Sequence, residues 1–423
     1  MLAYLQYWGA MLRHAFTGSR TYLAWLCLLG LGGVAGALSY AKQASEGLIV
    51  TNMTDQVSWG AYIANFTFLV GIAAAAVLLV VPTYVYGRKD VKEVVLVGEL
   101  MAVSAIVMCL MFVIVDLGRP DRLMHMLPGL GRLNFPRSIL AWDVVVLSGY
   151  LLLNLHIPGY VLYQRYFGRR PSRIYYTPLA LLSILWAVSI HTVTAFLYSG
   201  LGGRPIWNTA ILAPRFLVSA FASGPALLII VLTIVRRTGA FPVQPSVIEY
   251  LRRIISLTLP LNYFLLGCEL FSEFYTDSAH ALSAEYLYFG LHGHAELAPY
   301  IWGGLLLGLS AMGIIWAPRL RSRPRWLMSA CAMVVVGVWV EKGMGLIIPG
   351  FIPSPAGDLV EYSPSLVETL VSFGIWCTGA LVFTAMVKVA LAIERGDLRR
   401  SGVGPQRLSS WPARPPDGSQ VSP

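Results

Sequence analysis

The chain contains about ten apolar runs, each close to the ~20 residues a helix needs to cross a bilayer. They fall at 22–41, 59–86, 93–116, 139–164, 174–198, 213–235, 250–276, 298–317, 326–349 and 366–392. In hydrocarbon every backbone N–H and C=O must be bonded internally, which restricts spanning structures to helices and closed barrels, and runs of this length read as helices. Composition agrees: 57% hydrophobic and 12% charged residues, with a mean hydropathy of +0.66, exclude an ordinary soluble chain of 423 residues. We therefore expect an all-α, polytopic membrane protein.

Residues 22–393 form the expected transmembrane domain, after an N-terminal segment, 1–21. The first apolar run is longer than a signal-peptide core and is expected to be retained. From 394 to 423 the chain turns rich in Pro, Ser, Gly and Arg without apolar period. Such a tail cannot bury enough surface to offset ordering, and disorder is expected.

The net charge of +10 reflects loops rather than nucleic-acid binding. Arg13, Arg20, Arg88, Lys89, Lys92, Arg165, Arg169, Arg170, Arg173, Arg236, Arg237, Arg252, Arg253, Arg319, Arg321, Arg323, Arg325, Arg395, Arg399 and Arg400 fall on one side of the alternating spans, against Lys42, Arg119, Arg122, Arg132, Arg137, Arg204 and Arg215 in the loops of the other. Lys and Arg in short loops resist translocation, so both termini are expected in the cytoplasm.

Cys27, Cys109, Cys268, Cys331 and Cys377 lie singly in separate apolar runs, with no CxxC spacing. No iron-sulfur cluster or metal site is expected in this chain, and such centres would belong to a partner. Only His156 and His191 lie deep in spans, on opposite sides of the membrane, which disfavours a haem b. The loop bearing His280, Glu285, His292, His294 and Glu296 reads as a docking surface rather than a metal site.

Charged groups at the edge of hydrocarbon need partners, water or a ligand. Asp116, Arg119, His125 and Asp143 gather in the stretch Val113 to Gly149, and Asp116 with Arg119 at i, i+3 also suits a buried ion pair. His191, the pair Glu269 and Glu273, and Glu341 with Lys342 fall in the same leaflet, whereas Glu99 and His156 fall in the other. Two carboxylates on one helical turn repel, so Glu269 and Glu273 read as a proton relay. Trp59 and Tyr62 sit where interfacial aromatics anchor a helix.

Several segments carry a resemblance. WGAYIANFTFLVG (Trp59 to Gly71), DLGRPDR (Asp116 to Arg122) and LNFPRSILAWDVVVLSGYLLLN (Leu133 to Asn154) resemble the NrfD/PsrC family of quinone-interacting membrane subunits. HTVTAFLYSGLGGRPIWNTAILAPRF (His191 to Phe216), CELFSEFYTDSAH (Cys268 to His280), FGLHGH (Phe289 to His294) and EKGMGLIIPGFIPSPAG (Glu341 to Gly357) resemble its DsrP branch, found in the DsrMKJOP sulfur-metabolism complex. The resemblance implies ten helices in two bundles in the cytoplasmic (inner) membrane. It also implies a pocket for menaquinone or ubiquinone near the periplasmic surface, carried over onto Tyr62, Asn65, Asp116, Arg119, His125 and Asp143, with Trp59 beside them. Implied partners are a periplasmic ferredoxin-like iron-sulfur subunit (DsrO-like), a triheme cytochrome c (DsrJ-like) and DsrM/DsrK-like subunits.

On this reading Asp116, His125 or Asp143 exchanges protons with the quinone, and Arg119 holds the acceptor charged. Glu269, Glu273, His191, Glu341 and Lys342 form a second cluster, continued toward His156 and Glu99 as a proton path. The alternatives are a b-type cytochrome anchor and a proton-coupled secondary transporter. Inverted repeats and broken helices, the signs of the latter, are not evident in the sequence.

Overall fold

The computed structural model describes residues 2–127, 129–239, 242–275 and 281–400. The expected tail lies outside them from residue 401 onward. In chain order the helices are α1 (Leu2–Ala15), α2 (Arg20–Glu46), α3 (Ala61–Ala74), α4 (Val77–Tyr84), α5 (Lys89–Asp116), α6 (Ile139–Tyr166), α7 (Arg173–Ser199) and α8 (Leu212–Arg237). They continue with α9 (Pro245–Tyr275), α10 (Ala281–Tyr288), α11 (Ala298–Trp316), α12 (Pro318–Arg321), α13 (Pro324–Trp339), α14 (Gly345–Ile347) and α15 (Leu366–Arg395). Ten spans among the described residues are long and apolar enough to cross a membrane, in agreement with the expected runs. No strand is present among the described residues beyond an isolated bridge between Leu291 and His294.

The spans sort into two bundles. One contains α3 with α4, α5, α6 and α7; the other contains α8, α9, α11 and α13, and they meet where α3 packs on α8. The span from Ala61 to Tyr84 is 94% buried over its most apolar stretch, whereas α2 is 22% buried, so α3 is the axis and α2 the rim. Helix α2 pairs with α15, and α15 in turn packs on α5.

Small residues set these contacts, because helices in lipid gain little from hiding apolar surface and must gain from close backbone approach. At the α2–α15 crossing a Cβ on Gly36 would lie 2.5 Å from the Gly374 Cα. We expect Gly36→Leu to force the helices apart, with an overpacking cost of about 1–3 kcal/mol. A lowered unfolding temperature of the detergent-purified chain is the expected readout, and an unchanged one would show that the crossing tolerates bulk.

Two irregularities were not expected from the sequence. The second span is interrupted at Ala75 and Ala76, where α3 gives way to α4, and Ala75 packs against Gly224 of α8. The ninth span leaves α13 through a π-helical turn, Val340–Met344, before α14 and a 3-10 turn at Ile348–Phe351. Such π turns often mark functional positions, and this one carries Glu341 and Lys342 into the protein interior.

The alternating spans give the molecule two chemically different ends. At the arginine-rich end Arg165 pairs with Glu394, and Asp90 is bound by Arg88 at 2.6 Å and by the Ser246 hydroxyl at 2.9 Å. The Arg88 hydrogen bond holds the Asp90 carboxyl below the usual carboxylate range. Helix α1 docks here, with Tyr7 5.2 Å from the rings of both Tyr163 and Tyr166. The opposite end carries the described residues of the loop after α5, 118–127 and 129–138, and the loops after α7 and α14.

Candidate functional site

The largest concentration of buried charge lies in the second bundle. Arg215 enters from the first turn of α8 and pairs with Glu269 of α9 on one side and with Glu341 of the π turn, at 2.8 Å, on the other. The three side chains are 11%, 7% and 5% exposed, so solvent screens the ions little. Glu341 also accepts from the Asn262 amide, at 3.1 Å and 3.0 Å to its two oxygens. Glu273 lines the same small cavity as Arg215, Glu269, Glu341 and Tyr288.

Lys342, adjacent in sequence to Glu341, turns elsewhere. Its Nζ donates to the Phe216 carbonyl at 3.2 Å and sits 4.2 Å above that residue's ring, close to Gly71 of α3. The π turn thus sends an anion into the second bundle and a cation to the seam between bundles. Sequence reading counted Arg215 among the loop charges and passed over Asn262. The available signal was an arginine three residues inside an apolar span.

A second polar group surrounds the loop-end terminus of α5. The Tyr62 hydroxyl donates to Gln43 Oε1 at 2.6 Å, and the Gln43 amide donates to the Val115 carbonyl at 2.6 Å. This chain joins α2, α3 and α5 beside Asp116, which is half-buried and whose Oδ1 has no hydrogen-bond partner. Nearby, Glu368 caps α15 through Ser365, accepts from the Asn52 N–H at 2.9 Å and accepts from the Tyr362 hydroxyl. Gln43, Tyr362 and Glu368 escaped the sequence reading, although S-x-x-E at Ser365 to Glu368 is a capping-box pattern.

Several expected members of one pocket are placed apart. Arg119 does not pair with Asp116; it is exposed and binds Asp121 at 2.9 Å and 2.8 Å. The 3-10 turn Pro120–Met126 carries Asp121 beside Arg119, so an exposed carboxylate replaces the buried partner expected for the guanidinium. His125 lies exposed on that turn. Asn65 is occupied structurally: its Oδ1 accepts from the indoles of Trp339 at 3.1 Å and Trp376 at 2.9 Å. Trp59 is not an isolated interfacial anchor, because it stacks on Trp207 at 5.8 Å and meets Tyr198 and Phe351 edge-on.

Asp143 is 3% exposed and accepts a 2.8 Å hydrogen bond from Thr194, joining α6 to α7. His191 is fully buried, donates through Nδ1 to the Ala187 carbonyl at 3.1 Å and leaves Nε2 without a partner. His156 lies on an exposed face of α6, 2.8 Å from the Tyr175 hydroxyl. Glu99 is buried in α5, but a rise of 1.5 Å per residue puts it about 25 Å along the helix from Asp116.

In the loop singled out for its histidines, His294 Nδ1 lies 3.0 Å from Glu361, which also accepts from the Glu296 N–H at 2.9 Å. His292 is exposed, and His280 lies outside the described residues. Among the described residues no three His, Cys, Asp or Glu side chains come together as a metal site, and the five cysteines are free.

These features define an all-helical, multi-pass membrane protein with ionisable side chains buried inside and between two bundles. The chain belongs to the family described as "Polysulphide reductase, NrfD", which matches residues 49–353. That match begins after α2 and ends before α15, the two helices that pair with each other outside it. Over 407 residues the chain is 26% identical to a putative membrane subunit of the dimethyl sulfoxide reductase of Halobacterium salinarum, covering 85% of this chain and 89% of the relative. It is 25% identical to an Hdr-like menaquinol oxidoreductase integral membrane subunit of Archaeoglobus fulgidus, covering 88% and 94%. It is 23% identical to a subunit of the selenate reductase of Mesobacillus selenatarsenatis, covering 86% and 92%.

Proposed function

We propose that the chain is the membrane subunit through which an oxidoreductase complex exchanges electrons and protons with quinone. The family and the names of its relatives support the class of reaction, and one relative is named for menaquinol. The observation that carries the site is Asp116, a half-buried carboxylate with an unbonded oxygen at a helix end, held beside the Tyr62–Gln43 chain.

Oxidising a quinol releases two protons with its two electrons, so the site must provide a base within hydrogen-bond reach. Asp116 is the fitting group, since its Oδ1 has room for a new donor. Gln43 and Tyr62 fix the backbone at Val115 and hence the carboxylate's direction. Asp143, already bonded to Thr194, is better suited to hold α6 and α7 in place than to meet substrate first. Electrons pass to or from an iron-sulfur partner, as the resemblance implies.

The Arg215 cluster has a separate role in this proposal. Arg215 pairs with both Glu269 and Glu341, and Glu273 lines the same cavity, so the interior gathers acids that can hold a proton. That makes it a proton-storing group, with His191 as a neighbour on α7. The arginine-rich end and both termini face the cytoplasm in this reading, by the positive-inside rule, which places Asp116 on the periplasmic side. A DsrP-like place in sulfur metabolism, with DsrO-, DsrJ- and DsrM/DsrK-like partners, is the finer version.

The test is quinone-linked turnover by the complex purified through a tag on this chain, with a soluble menaquinol analogue. Turnover that is lost when the chain is stripped from the other subunits is expected. Equal turnover without it would overturn the proposal.

A further inference from the structure

A second feature of the loop end has no part in the proton chemistry. A cavity of about 440 Å³ is lined by Ser58, Trp59, the glycine-rich run Gly200 to Gly203, Arg204, Phe351 and Pro355. Arg204 lies half-buried in its wall, with the guanidinium carbon 4.6 Å from the centre of the Phe351 ring. Among the described residues that guanidinium makes no hydrogen bond and no ion pair, and its Nη1 is buried without a partner. Burial pushes the group below the usual arginine range, and no carboxylate lines the cavity to offset this. A guanidinium offers five N–H donors in a planar fork suited to a carboxylate, so one held on an aromatic face without an acceptor is preorganised for an incoming one.

The position limits where that acceptor comes from. The cavity sits over the N-terminal end of α3, the most buried span, and its walls are loops beyond the ends of α3, α7 and α14. An occupant therefore arrives from the aqueous side rather than through lipid. Side chains built on Gly202 or Gly203 would meet nothing within 4 Å, so the loop leaves the entrance clear. On the same end Arg119, Arg122, Arg132 and Arg137 are exposed, and of these Arg119 is paired, with Asp121. Such a positive surface favours an acidic counterpart.

We infer that the Arg204 cavity receives an aspartate or glutamate side chain of the extramembrane subunit that docks on this end of the protein. This rests on the reading of the chain as a subunit of a complex. It adds the anchor point, which Phe351 orients and the glycine run exposes.

The test uses the complex purified from membranes through a tag on this chain. Arg204→Lys places an amine in the cavity, and carbodiimide treatment should join position 204 to an acidic residue of the partner, identifiable by mass spectrometry. Arg204→Gln should cut partner retention in a 0.3 M salt wash by about tenfold or more, the scale of one lost charge-assisted bond, with the chain's unfolding temperature unchanged. The inference is overturned if Arg204→Gln retains its partner like the wild type and no link forms at position 204 while other surface links do. It is also overturned if Arg204→Gln loses bound phosphate or anionic lipid instead of partner. Asp116→Asn in the same assay separates the readings: it should lose turnover and keep the partner.

Discussion

Replacing Arg215 by methionine is expected to destabilise the protein by about 3–5 kcal/mol, the usual result of removing one member of a buried ionic group. Two carboxylates, Glu269 and Glu341, would lose their cation together, and the Asn262 amide, already bonded to Glu341, cannot neutralise either. Thermal unfolding of the detergent-purified chain, or the yield of monodisperse protein, measures this. Arg215→Lys should recover part of the loss, since one ammonium cannot bridge both acids as a fork does. The combined variant Arg215→Met, Glu269→Leu, Glu341→Leu separates stability from function. Buried ion groups replaced as a whole by apolar residues are often neutral, so this variant should fold well yet lose proton-linked turnover. Wild-type turnover in it would remove the cluster from the mechanism.

Neutralising Asp116 as Asp116→Asn should lower quinone-linked turnover by about 10²–10⁴-fold, the range for losing a positioned general base. The amide keeps the volume and leaves the Gln43–Tyr62 chain in place, so assembly and unfolding temperature should match the wild type. Asp143→Asn should cost less, on the order of tenfold, because it weakens the hydrogen bond from Thr194 without removing the group with a free oxygen. The reverse ranking would move the proton acceptor from the end of α5 to the α6–α7 contact. Steady-state turnover of both variants in the intact complex decides between them.

Much of the fold was legible because hydrocarbon imposes a length and a composition on each span, and those can be counted along the chain. The interruption after Ala74 was not, since alanine is the best helix former; at the break Ala75 lies against Gly224 of α8. The π turn at Glu341 was hidden likewise: a one-residue change of register has no composition of its own.

The candidate site shows the same division. That Asp116, Asp143, Glu269, Glu341 and Lys342 required partners followed from their place in apolar runs. Which partners they found did not. Asp116 and Arg119 stand at a spacing that allows a pair on a helix, but the helix ends at Asp116 and the following turn hands Arg119 to Asp121. Arg215 meets Glu269 across 54 residues and Glu341 across 126, distances over which no local pattern carries information. By itself the sequence determined the ten apolar helices, because fitness for lipid is decided residue by residue. Only the tertiary structure decided who pairs with whom, because a side chain's partner is set by how separate helices cross, and that depends on all of them at once.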